Sequence, residues 1–170
     1  SCVGQCSLTV ALPILSACGL ETCVLPSAVL STHTAGFSGY TFRDLTEDMP
    51  AICAHWKKEG LTFDGIYTGY LGSVRQIEAV EAVFDQFNQK DQLRFVDPAM
   101  GDHGKLYSGF DEHYACAMEG LCRKADIILP NITEAAIFSR SAYHEKLDAA
   151  YIENLLRALG HPCVILTGVG

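Results

Sequence analysis

The sequence predicts a doubly wound α/β fold, a mostly parallel sheet with helices on both faces. Three observations carry the prediction. Short continuous apolar runs at 63–68, 93–96, 126–129 and 163–166 have the length and composition of strands buried on both faces. Amphipathic helical stretches separate them, and such alternation implies a parallel sheet with helical cover. No internal repeat, low-complexity tract or linker interrupts the pattern, so residues 1–170 read as a single domain.

The elements follow in order. Residues 5–18 form a helical stretch that ends at Gly19, a residue suited to helix termination. Residues 22–30 are a β-rich run broken by Pro26. Residues 46–59 are helical, with Thr46-Glu47-Asp48 supplying a cap and an acidic first turn. After the strand at 63–68, residues 73–89 give the clearest helix. There Ile77, Val80, Val83, Phe84 and Phe87 recur at three- and four-residue spacing. A strand at 93–96, a helix at 111–124, a strand at 126–129, helices at 133–138 and 148–159 and a last strand at 163–166 complete the chain.

Of the 170 residues 49% are hydrophobic and 19% charged, as expected of a compact globular chain. The formal net charge is -8, and the twelve Lys and Arg form no stripe. Nucleic acid is therefore not an expected partner. A small anionic ligand is compatible with this balance, because backbone N–H groups and helix N-termini hold phosphate without net positive charge.

Eight cysteines raise the question of disulfides or zinc. They contain no C-x-x-C pair and no Cys/His set at zinc-site spacing. Most lie in apolar runs such as Ala115-Cys116-Ala117 and Pro162-Cys163-Val164, which predicts small buried hydrophobes. Reduced structural thiols in a cytoplasmic protein are the expectation. Leu15-Ser16-Ala17-Cys18 imitates a lipoprotein cleavage box, but no basic segment precedes it. The apolar run before it carries Thr9 and Pro13 and is too short to span a bilayer, so a buried helix is predicted and no membrane partner.

Ligands of open parallel sheets bind outside the carboxyl ends of the strands. Five consecutive predicted strand ends are polar or glycine-rich: 31–37, 69–73, 97–107, 130–134 and 167–168. Asp97 and Asp102, five residues apart around Pro98 and Gly101, can face one cavity and hold a hydrated Mg²⁺. Gly101 and Gly104 allow backbone to approach a phosphate, and Lys105 adds charge. A surface turn begun by Asp-Pro is the alternative reading. Asn131-x-x-Glu134 is equally open between a ligand site and a helix cap with a dipole-complementing Glu. His33 can orient a ligand hydroxyl or ring nitrogen, or be structural. Tyr70 can stack on a flat ring, or simply pack. His55, His113, His144 and His161 lack partners at metal-ligand spacing and read as surface residues. Neither G-x-x-x-x-G-K-[ST] nor G-x-S-x-G is present.

Together Val3-Gly4-Gln5, Ser31-Thr32-His33-Thr34, Thr68-Gly69-Tyr70, Asp97-Pro98-Ala99-Met100-Gly101-Asp102, Gly104-Lys105-Leu106-Tyr107 and Asn131-x-x-Glu134 resemble the pyridoxal kinase branch of the ribokinase-like superfamily. The long Asp-Pro string is specific, whereas Asn-x-x-Glu is shared across the superfamily. The resemblance implies that Val3, His33, Thr34 and Tyr70 surround a pyridine ring. It implies that Asp97, Asp102 and Tyr107 face ATP and its metal, that Asn131 and Glu134 organise Mg²⁺ through water, and that Thr167 approaches the transferring phosphate. A monovalent cation and a homodimer are further implications. The reaction implied is in-line transfer of the γ-phosphoryl of ATP to the 5′-hydroxymethyl of a B6 vitamer, pyridoxal, pyridoxine or pyridoxamine.

The departures shape the expectation. Ala35 and Phe37 stand where the branch often has Gly and Tyr, leaving the vitamer open. A related kinase acting on hydroxymethylpyrimidine is the neighbouring alternative. The branch's Gly-x-Gly-Asp, whose Asp is the general base, has no match here, since Gly168-Val169-Gly170 only imitates it. The chain is expected to be truncated at both ends, lacking a first strand and a C-terminal catalytic and adenine-binding part. By itself it is expected to be a non-catalytic fragment.

Overall fold

The computed structural model describes residues 1–4, 6–33 and 37–169. The chain divides into two compact units, Ser1–Leu61 and Thr62–Gly170.

The first unit holds α1 (Leu8–Ala17), β1 (Ala28–Leu30), β2 (Phe42–Asp44) and α2 (Met49–Lys58). The predicted helix at 5–18 is present as α1 and is followed by Gly19 at φ 79°. Its predicted burial is not found: no α1 residue is buried, and Ile14 is 57% exposed. An apolar composition directs a helix inward only where other elements cover it, and Val10, Ala11, Leu12 and Leu15 are covered only in part. Only the last three residues of the β-rich run 22–30 form a strand. That strand pairs antiparallel with β2, placing Ala28 opposite Asp44 and Leu30 opposite Phe42. Thr46-Glu47-Asp48 lies before α2 and not in its first turn, which holds no acidic residue. The cause is local: the Asp44 carboxylate accepts from both the backbone N–H and the hydroxyl of Thr46, closing a separate turn. α2 then starts at Met49 with a proline beside it, where a missing N–H costs nothing.

The second unit is the α/β body. A parallel sheet of β3 (Gly65–Thr68), β4 (Leu93–Val96) and β7 (Ile127–Ile128) runs in the order β3-β4-β7 and is flanked by helices. The register sets Thr68 beside Val96 and Val96 beside Ile128. The predicted strand at 163–166 joins as a fourth line through single parallel bridges, Ile128 to Val164 and Asn131 to Thr167. α3 (Val74–Gln86) begins where the Ser73 side chain accepts the Gln76 N–H. Asp111 and Asp148 cap α4 (Glu112–Cys122) and α6 (Ala149–Leu159) in the same way. Each cap satisfies a backbone donor that the first helical turn leaves without a partner.

Burial follows the predicted periodicity. Ile77, Val80 and Phe84 of α3, Met118 and Leu121 of α4, and Val96 of β4 are all buried. α5 (Ile132–Ser139) and α6 share a smaller cluster of Ile132, Ala135, Ala136 and Leu155. All eight cysteines are free thiols, but only Cys53 and Cys122 are buried. Cys116 and Cys163, read from sequence as buried hydrophobes, are exposed. In α4 the inward positions are Tyr114, Ala115, Met118, Leu121 and Cys122, which leaves Cys116 on the outer face. Among the described residues no helix is long and apolar enough to cross a membrane.

Candidate functional site

Because the strands of the second unit are parallel, the segments that follow them, 69–73, 97–107, 130–134 and 167–168, leave the same edge of the sheet. Two of these segments are joined through Glu134. Its side chain is 1% exposed. Oε1 accepts from the backbone N–H of Met100 at 2.8 Å and of Gly101 at 3.4 Å, and Oε2 accepts from the Asn131 N–H at 2.9 Å. Asn131 answers with its own side chain: Oδ1 accepts the Glu134 N–H and Nδ2 donates to the Gly101 carbonyl, 2.9 and 2.8 Å. The pair is at once a capping box for α5 and the tether of the 97–102 loop. The cap reading is thus present in the structure, and its spare hydrogen-bonding capacity holds the loop.

Burial pushes the Glu134 carboxyl up to about 7, with Asp97 pushing the same way against the pull of the three N–H donors. Asp97, immediately after β4, is also raised, chiefly by burial. The Tyr67 hydroxyl donates to its Oδ2 and the Ala99 N–H to its Oδ1. None of the described ion pairs involves Asp97 or Glu134. A buried and a half-buried carboxylate without an ion-pair cation among the described residues are the electrostatic setting in which a divalent ion is favoured. No group of three or more metal-ligating side chains occurs among the described residues. Asp97, with two hydrogen bonds against three on Glu134, is the carboxylate nearest to free and the one that could meet a hydrated cation bringing ligands of its own.

The loop continues into a hairpin that sequence patterning missed, β5 (Gly101–Asp102) paired antiparallel with β6 (Lys105–Leu106). His103 and Gly104 turn it with φ of 50° and 75°, the signature of a type I′ turn. Asp102 points its Oδ1 at the His103 N–H. Tyr107 follows, its N–H donated to the Met100 carbonyl, its phenol pushed up by burial and by Glu134, Asp102 and Asp97. A cleft of about 180 Å³ opens here, with Asp102, His103, Asn131, Thr133, Tyr143 and Gly168 among its walls. Thr167 binds the strand end through its N–H to the Pro130 carbonyl. Asp97, Asp102, Tyr107, Asn131, Glu134 and Thr167 thus gather at one sheet edge. Tyr67, Thr133 and the 143–147 segment were not anticipated, and nothing in their spacing marks them.

Tyr70, at the end of β3, stacks on Phe110 at 5.7 Å, and Phe110 stacks on Tyr114 at 3.8 Å. The Tyr114 hydroxyl donates to the Leu71 carbonyl, fixing this aromatic row to the 69–73 loop. In the first unit, Val3 and His33 come together. The His33 N–H donates to the Val3 carbonyl, and the imidazole lies against Gly4, leaving no room for a side chain there. Val3 is 57% exposed and Phe37 sits edge-on to the His33 ring. Thr34 lies outside the described residues.

Comparison with known proteins gives consistent matches. The family model for phosphomethylpyrimidine kinase matches residues 14–170. The chain is 28% identical to a pyridoxal kinase of Sus scrofa over 97% of its length, but it spans only 52% of that protein. It is 27% identical to a pyridoxal kinase of Arabidopsis thaliana, of which it spans 50%. The chain therefore spans about half the length of these relatives. Among solved structures, a candidate phosphomethylpyrimidine kinase from Bacteroides thetaiotaomicron VPI-5482, crystallised with pyridoxal, superposes with a TM-score of 0.90 at 45% identity. The match covers 98% of this chain and 59% of that one. The pyridoxal kinase of Lactobacillus plantarum gives 0.81 at 37% identity, covering 99% and 58%.

Proposed function

The chain belongs to the phosphomethylpyrimidine kinase family, and on that premise we propose that the protein phosphorylates the 5′-hydroxymethyl group of a B6 vitamer with ATP. The observation that carries this reading is the Asn131–Glu134 pair holding the 97–102 loop at the edge where four parallel segments end. Phosphoryl transfer asks mainly for positioning and charge neutralisation, and a loop tethered at its backbone supplies the first. The cleft beside α5 is the place for the phosphates, with the N-terminus of that helix toward them. Asp97 would hold Mg²⁺ jointly with the nucleotide, and the ion would neutralise phosphate charge. Glu134, with three N–H donors on its carboxylate, acts on the loop and through water at most on the metal. Asp102, Tyr107 and Thr167 would complete the nucleotide side.

Val3, His33, Thr34 and Tyr70 are the candidate acceptor-side residues. The named relatives favour a B6 vitamer over a pyrimidine. The related structure crystallised with pyridoxal supports this, as do structures of a Leishmania donovani pyridoxal kinase with ADP and pyridoxamine or pyridoxine. Both units would belong to one kinase domain. Eight free thiols support a cytoplasmic setting, and a net charge of -8 speaks against nucleic acid. A homodimer and a monovalent cation rest on family resemblance alone.

The test is kinetic. The full-length gene product is given ATP and Mg²⁺ with pyridoxal, pyridoxine, pyridoxamine or hydroxymethylpyrimidine, and ADP release is followed. Preference for a B6 vitamer is expected, and preference for the pyrimidine would overturn the assignment. The 170-residue chain assayed alone is expected to show no turnover, because no residue in it matches the general-base Asp of the family.

A further inference from the structure

The turn of the 101–106 hairpin is gripped from two sides. On one, Thr133 Oγ1 accepts the Gly104 N–H at 2.9 Å. On the other, the Tyr143 ring lies on the glycine itself: a Cβ there would stand 2.7 Å from Cδ1 and 3.0 Å from Cγ of the ring. Position 104 therefore needs glycine both for its φ of 75° and for this contact. Tyr143 is in turn held firmly. It packs on the cluster of Ile132, Ala135, Ala136 and Leu155 that joins α5 to α6. Its chain neighbours are tied to α6, where the Tyr151 hydroxyl donates to the Ala142 carbonyl at 2.9 Å and the Tyr151 ring meets His144 at 4.8 Å. Among the described residues the Tyr143 hydroxyl has no hydrogen bond, so the ring face carries the contact.

One wall of the cleft is made by Asp102 and His103, which flank this turn, and another by Asn131 and Thr133 at the start of α5. Tyr143 lines the cleft and touches both sides, so its ring fixes the distance between them. We propose that Tyr143 is a positioning residue for nucleotide binding, setting the hairpin turn against the N-terminus of α5 so that both walls meet the same polyphosphate. The proposal rests on the nucleotide reading above. It assigns to the ring an effect on nucleotide affinity and none on the acceptor.

Tyr143→Phe, Tyr143→Leu and Tyr143→Ala, each in the full-length gene product, are compared with the unmodified protein by amide hydrogen exchange and by calorimetric titration with Mg·ADP. The Phe variant should match the unmodified protein in both. The Leu and Ala variants should exchange the Gly104 amide about tenfold faster or more, with the amides of α3 and α4 unchanged, and bind Mg·ADP several-fold more weakly. Unchanged Gly104 protection in both variants overturns the proposal. So does uniform acceleration of every amide in the Leu variant, which would make Tyr143 a general packing residue. A full-length protein that gives no heat with Mg·ADP while its Gly104 protection still depends on residue 143 counts against the nucleotide reading and for the clamp.

Discussion

Tyr67 donates its phenolic hydroxyl to Oδ2 of Asp97 across 3.2 Å, from a half-exposed position on β3 to the carboxylate that opens the next loop. Each group changes the other. Burial first, then the Asp97 charge and hydrogen bond, push the Tyr67 phenol up to about 12. Burial raises Asp97 as well, while the Tyr67 hydroxyl and the Ala99 N–H pull it back. Asp97 would hold the metal in the proposed reaction, and the phenol and the Ala99 N–H together favour its charged form.

Two substitutions separate these effects. In Asp97→Asn the Tyr67 phenol should fall partway back toward its ordinary value, since burial remains, as read by ultraviolet titration. In Tyr67→Phe the Asp97 carboxyl should titrate at higher pH than in the unmodified chain, as read by carbon NMR. A carboxyl that titrates at the same pH with and without the phenol would mean that the bond is absent in solution.

Glu134 makes stability depend on pH in an unusual direction. Its native carboxyl keeps a proton up to about pH 7, whereas the unfolded chain releases it near 4.5. Between those values the native state binds more protons, so stability falls as pH rises and is greatest below the unfolded value. The contribution lost is on the order of 3 kcal/mol across that window. Glu134→Gln should remove this slope, because an amide does not titrate. It should also cost roughly 1–3 kcal/mol at all pH values, since its NH₂ cannot replace the acceptor used by Asn131. Urea unfolding at pH 5, 6 and 7 measures both effects, and an unchanged slope would exclude Glu134 as its source.

α3 and α4 were legible because one face of each is buried, and the caps of α3, α4 and α6 are local. Ser73, Asp111 and Asp148 announce α3, α4 and α6 within three residues of the donors they satisfy. Elements without periodicity were not legible. β2 is three exposed residues, and β5 and β6 have two each, too short for alternation to register. At the site, the Asn131–Glu134 spacing was visible, but not that Glu134 would reach the amides of Met100 and Gly101. That contact joins segments over thirty residues apart, which only the parallel register brings together. Tyr67 and Tyr143 were missed for the same reason: the contacts of Tyr67 with Asp97 and of Tyr143 with Gly104 join residues distant in sequence.

Leu155 tests the packing beneath the cleft. It is 1% exposed and ties α6 to Ile132, Ala135 and Ala136 of α5. Leu155→Ala should cost about 2–5 kcal/mol, the range for truncating a buried leucine. The loss should appear in denaturant unfolding as a lower midpoint with the slope m unchanged. A cost below about 1 kcal/mol would mean that α6 is held mainly by its cap and its loop.

Asn131→Asp distinguishes the two tasks of the capping residue. A carboxylate still accepts the Glu134 N–H, and aspartate is as good a cap as asparagine, so the start of α5 should survive. The donor to the Gly101 carbonyl is lost, however, and the new oxygen faces that carbonyl instead. A third carboxylate also joins Asp97 and Glu134 without a cation. At pH above 7 the variant should therefore lose roughly 1–3 kcal/mol, while Asn131→Ala, which gives up both bonds without adding charge, should lose a similar amount at every pH. Mg²⁺ supplied with ADP should restore the Asp variant more than the Ala variant, because only the former gains a ligand for the ion. Thermal unfolding of both variants of the full-length gene product, with and without Mg·ADP, reads the difference. Equal restoration in the two would show that residue 131 lies outside the reach of the metal and serves the loop alone.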